Sequence, residues 1–259
     1  MEYLLNQPWL FGLLVALVLA SALEIGRRTA VYYHIHDDTI RKNHMTGIVD
    51  GTFVLVYLML GFTLALTVPH FADRRSLIID EAISIARMYR YAGVLPEPFR
   101  DHSRQLLRQY VDARLDLDSA SAEASRLAEA SNRAKRIQEQ LWNDELALSQ
   151  VDRSALAATY VNAMNEAIAL HDKRVASLEN RVPHSIWFLI LSVSLIAVFT
   201  RGLTLERRFW LTVILAPITI AIVVALVADI DAPSRGLIQT DQRAMQRLKA
   251  ELNVEPGAE

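Results

Sequence analysis

Hydrophobic positions along the chain gather into four continuous blocks separated by polar stretches, with neither the alternation of a strand nor the single stripe of a soluble helix. Blocks of this length predict four membrane-spanning helices. The first is expected over residues 9–23, with Tyr3 and Trp9 as interfacial anchors and Glu24, Arg27 and Arg28 closing it. A cleavable signal peptide is the rival for this block. Ala20-Ser21-Ala22 suits a cleavage site, but Glu2 and the lack of leading Lys or Arg favour an uncleaved anchor. The second span is expected over residues 51–68, about 18 uncharged positions, which at 1.5 Å per residue roughly cover the hydrocarbon thickness. Pro69 ends that apolar run where a charged helix takes over. Residues 185–200, after Pro183, predict the third span, and residues 210–228 the fourth, bent by Pro217.

The polar stretches give the organisation between spans. Residues 27–46 predict a short loop with Arg27, Arg28, Arg41 and Lys42. His34, His36, His44, Asp37 and Asp38 lie in it without the spacing of a metal site, so a hydrated surface loop is expected. Gly47-x-x-x-Gly51 opens the second span and lets helix backbones approach closely, within a subunit or between subunits. Residues 71–182 predict an extramembrane helical domain, broken at Leu95-Pro96-Glu97-Pro98. Within it, Leu127, Ala130, Ala134, Ile137, Leu141 and Leu148 form a narrow seam. Its expected partner is an antiparallel helix over residues 154–181 carrying Leu156, Tyr160, Met164, Ile168, Val175 and Leu178. The last residues, 230–259, predict an amphipathic helix with Leu237, Ile238, Met245, Leu248 and Leu252 on one face, laid on the membrane surface or on the central domain. The fold class expected is therefore an all-α membrane protein. Residues 1–70 hold spans one and two, 71–182 the helical domain, 183–229 spans three and four, and 230–259 the tail.

Composition changes this picture little. The 259 residues carry a net charge of -2 with 52% hydrophobic residues, and no basic face points to nucleic acid. Absence of cysteine removes disulfides, thiolate metal sites and thiol catalysis. No nucleophile, base and orienting group fall into a recognisable set, so no enzyme, metal or cofactor is expected. Span interiors hold no ionisable residue; Glu24 and Asp50 sit at span ends. Arg74, Arg75, Asp80, Glu81, Asp229 and Asp231 are candidates for a structural ion network, with Arg74 or Arg75 pairing Asp229 or Asp231. Pore-lining candidates on the second span are Gly51, Phe53, Val56, Leu60 and Leu64, which can present apolar rings that gate by dewetting.

Several segments together resemble the bestrophin-like family of bacterial four-span membrane proteins, a domain of unknown function. They are Leu60-Gly61-Phe62-Thr63-Leu64-Ala65, Arg74-Arg75, Asp80-Glu81-Ala82, Leu95-Pro96-Glu97-Pro98 and Tyr110-Val111-Asp112, then Leu141-Trp142, Asn165, Asp172, Arg174, Arg181-Val182-Pro183 and the closing run from Asp229 through Ile238. The resemblance implies a multi-pass protein of the bacterial inner membrane, and, by analogy with bestrophins proper, a pentameric ion channel. No acidic cluster is as dense as the calcium clasp of animal bestrophins, so calcium gating is not expected. Lys and Arg in the two short loops place those loops inside by the charge rule and the helical domain outside, whereas the resemblance implies a cytoplasmic domain. The function expected is an ion channel lined by the second span, in a homo-oligomer within the lipid bilayer. A membrane scaffold or sensor that binds a partner through the helical domain is the alternative.

Overall fold

The computed structural model describes residues 7–33, 39–119, 124–152, 154–205, 210–232, 238 and 241–254. Among them the elements are all helical: α1 Pro8–Tyr32, α2 Thr39–Ala92, α3 Phe99–Ser119, α4 Ala124–Val151, α5 Ala155–Glu179, α6 His184–Thr204, α7 Trp210–Asp231 and α8 Arg243–Asn253. Four of these, α1, α2, α6 and α7, contain stretches long and apolar enough to cross a membrane. The protein is an all-α, four-span membrane protein. Its chain divides into two compact units, Met1–Phe71 with Arg181–Ile238, and Ala72–Asn180 with Gln239–Glu259.

In the first unit α1 lies between α6 and α7 and contacts both. Phe11, Val15, Leu19 and Leu23 of α1, Val56 and Leu60 of α2, Trp187 and Ile190 of α6, and Ile220 and Val224 of α7 share one core. Glycine sets how close these helices come. A Cβ on Gly26 would stand 2.2 Å from the Phe199 carbonyl oxygen, and one on Gly202 would stand 2.2 Å from that of Leu23, so α1 and α6 cross backbone to backbone. The expected loop over residues 27–46 is shorter than the charge pattern suggested, because α1 continues through Arg27 and Arg28 to Tyr32 and α2 already begins at Thr39. His44 is inside α2, while His34, His36, Asp37 and Asp38 lie outside the described residues. Helix α2 runs through Pro69 and α7 through Pro217 without a break.

The second unit is a bundle rather than a two-helix hairpin. Ala82, Ile85 and Met88 of α2, Leu107 and Tyr110 of α3, Ile137 and Leu141 of α4, Tyr160 and Met164 of α5, and Met245 and Leu248 of α8 form one core. Ala130, Ala134, Ile137, Leu141 and Leu148 do point inward, but the main neighbour of α4 is α3. On α5 the inward face is Ala157, Tyr160, Ala163, Met164 and Ala167. Leu156 and Val175, expected in the seam, are exposed because small alanines take the contact. The side chains of Leu127 and Leu178 lie outside the described residues. Helix α5 starts at a Ser154 cap, whose Oγ accepts from the Ala157 N–H at 3.2 Å.

The terminal helix α8 docks on α3. It buries Met245, Leu248 and Leu252, about 1.5–3 kcal/mol for each apolar side chain fully removed from water. Polar contacts fix its register: Arg108 Nε donates to the Leu252 carbonyl at 3.0 Å, Arg108 also donates to the Tyr89 hydroxyl at 2.8 Å, and Lys249 pairs with Asp112 at 2.8 Å.

Candidate functional site

The span portion of α2 has two unlike faces. Val49, Val56, Leu60, Thr63 and Thr67 are buried, and Phe53 and Leu64 pack half-buried at the edges of that face. Opposite them Gly47, Gly51, Val54, Leu58, Gly61 and Ala65 are all exposed, recurring at alternate spacings of four and three. That spacing draws one stripe along a helix, the geometry of a helix-packing seam. Where a Cβ would sit on Gly47, Gly51 or Gly61 there is no atom within 4 Å. Among the described residues these glycines therefore meet no packing partner, whereas Gly26 and Gly202 do.

The residues of the expected pore face divide between these two faces. Val56 and Leu60 are buried in the protomer core, at 1% and 3% exposure. Gly51 lies on the open stripe, and Phe53 and Leu64 flank the core. Val54 and Leu58, absent from the expected pore face, are the bulky members of the stripe, and Leu55 and Phe62 are exposed beside it. The signal that would have found Val54 and Leu58 was present: they complete the repeat that the glycines begin.

In the second unit, α2 carries a carboxylate at a core position. Glu81 falls in step with Ile78 and Ile85 and is 0% exposed. Arg114 of α3, itself at the spacing of Leu107 and Val111, reaches Glu81 Oε1 from Nε at 2.8 Å, and its Nη2 donates to Oε2 at 3.1 Å. Arg174 of α5 donates to Oε2 at 2.8 Å. Burial alone would push the Glu81 carboxyl up. The His171 imidazole and the Arg114 and Arg174 guanidiniums outweigh it and hold the carboxyl at about 2. His171 Nδ1 is 3.7 Å away, beyond hydrogen-bond length, so the guanidiniums dominate. Tyr110 stands beside the cluster, its hydroxyl accepting from Gln138 at 2.9 Å; burial first, and the Glu81 charge next, push its ionisation up. Arginine and glutamate at apolar-stripe positions were the sequence signal for this cluster.

Arg74 is buried, while Arg75 and Asp80 are exposed. Asp229 and Asp231, both buried at the end of α7, act as acceptors for backbone: Asp231 Oδ1 takes the Val182 N–H at 3.1 Å and Asp229 Oδ2 takes that of Ile238 at 3.0 Å. These two bonds tie the chain entering α6 and the chain leaving α7 to one helix end. Among the described residues no group of three or more His, Asp or Glu side chains is placed to hold a metal ion.

A family model for the bestrophin-like domain matches residues 13–245. The chain belongs to the bestrophin-like family. The match runs from α1 into α8, taking in the open α2 stripe, Glu81, Arg114, Arg174 and the two carboxylates ending α7. Neither curated proteins nor solved structures gave a significant match. This bestrophin-like protein is thus a multi-pass membrane protein whose two notable arrangements sit on the same helix, α2.

Proposed function

We propose that this bestrophin-like protein forms a ring of copies in the inner membrane and passes ions along the open face of α2. The observation that supports this reading is the exposed stripe Gly47, Gly51, Val54, Leu58, Gly61 and Ala65, unfilled by the protomer's own helices. In a closed ring of subunits, five by likeness to bestrophins, glycine levels leave a wide lumen and Val54 and Leu58 narrow it. An apolar neck of that kind closes by dewetting and opens when it widens. The stripe carries no charge, so the sign of the conducted ion is set by residues beyond it.

A second reading, a scaffold or sensor, is favoured by exposed apolar residues in the central unit: Trp142 and Leu146 one turn apart on α4, with Val151 and Leu156 near the α4–α5 connection. Two measurements on the purified full chain separate the readings, its mass in mild detergent and its currents in planar bilayers under unequal salt. The channel reading predicts an oligomer with discrete currents, and a several-fold higher conductance for Leu58→Ala. A monomer that stays electrically silent as wild type and as Leu58→Ala contradicts it.

A further inference from the structure

Helices α1 and α6 cross at Gly26 and Gly202, and on the exposed side of that crossing they leave a groove unfilled among the described residues. Its cavity of about 530 Å³ is lined by Leu17, Val18 and Ile25 of α1 and by Leu195, Ile196 and Phe199 of α6, a volume typical of small-molecule sites. A second cavity of about 280 Å³ shares Val18 and Leu195 with it and extends it past Leu14 to Phe188. From Phe188 to Phe199 the groove is roughly 16 Å long, about half the hydrocarbon thickness and so one leaflet deep. The hydroxyl on its wall, Ser21, is spent on the Leu17 carbonyl at 2.8 Å. Only hydrocarbon matches such a surface.

The end of the groove near Ile25 is basic. Arg28 continues the α1 face of Ser21 and Ile25, and its side chain is 75% exposed. Arg27 and Arg28 both bond the single Glu24 carboxylate, at 2.8 and 3.0 Å, so the three side chains together carry one positive charge. An anionic headgroup complements that charge. We propose that the α1–α6 groove binds one anionic phospholipid, an acyl chain along Val18 and Leu195 and the phosphate against Arg28. A second copy of the chain is the rival occupant. The groove is lined by α1 and α6, whereas the open stripe belongs to α2. In the ring proposed above, on which this choice of occupant rests, copies meet through α2 and the groove is left to lipid.

The test uses the full chain, delipidated in detergent and offered phosphatidylglycerol or phosphatidylcholine with identical acyl chains, with bound lipid counted by native mass spectrometry. Wild type is expected to retain one lipid per chain with a several-fold preference for phosphatidylglycerol. Ser21→Trp and Ile196→Trp, both at exposed positions, fill the groove and should lose that lipid while the helical content stays unchanged. Arg28→Gln should keep the lipid and lose the headgroup preference. Equal retention in wild type and both tryptophan variants overturns the proposal. So does loss of oligomer in the tryptophan variants with no lipid retained by wild type, which assigns the groove to a second copy. The readout counts lipid and not current, so its failure and that of the channel reading are distinguishable.

Discussion

Glu81 shows what a single residue contributes and what it costs. A carboxylate with no solvent exposure is tolerated because Arg114 and Arg174 bring two guanidiniums to it from two other helices. Its folded-state acidity, about 2, lies below the ordinary carboxylate value, so the linked stability is present in full above about pH 4.3 and declines as pH falls toward 2. Replacing it by Gln leaves both arginines buried around a neutral amide, and breaking a buried ion pair from one side costs about 3–5 kcal/mol. Chemical denaturation at neutral pH is therefore expected to show Glu81→Gln strongly destabilised. The gap from wild type should narrow as the pH is lowered through that window; a gap of constant size would show that the charge of Glu81 is not the source.

At the scale of elements, glycine separates packing inside the protomer from surface left open. Gly202→Val forces a side chain against the Leu23 carbonyl and should unfold or disorder the α1–α6 crossing, read as a lowered melting temperature. Gly51→Val meets open space, so the protomer should melt as wild type does while the assembled mass changes. Equal melting temperatures for the two variants would contradict the assignment. The sequence made the spans legible because apolar blocks of bilayer length have few other uses, and α8 legible because Met245, Leu248 and Leu252 mark one face. It did not say which side of α2 is inward. An all-apolar helix has almost no amphipathic asymmetry, so Val56 and Val54 read alike until neighbouring helices cover one of them. The α4–α5 seam misled for a related reason: a three-and-four stripe specifies a buried face without naming its partner, and α3 took the place expected of α5. Glu81 was named from the sequence and Arg114 was missed although it too is a charge at apolar spacing; their convergence depends on three helices meeting, which no local pattern encodes.

At the scale of the whole molecule, α2 is the one element that joins the two readings of the protein. Its residues 47–65 carry the open stripe, and its later turns carry Glu81 into the core of the second unit. The helix is continuous through Pro69, so both sets of residues belong to one secondary-structure element. Conduction along α2 requires the stripe to face an aqueous path and the opposite face to remain dry. Absence of native cysteine makes this directly measurable, since one introduced thiol reports on one position. In planar bilayers, a charged methanethiosulfonate reagent applied to Leu58→Cys should change the current within seconds to minutes, and the same reagent should leave Leu60→Cys, buried in the protomer core, unchanged. Currents from Leu58→Cys that the reagent does not alter, or modification of Leu60→Cys alone, would contradict the account.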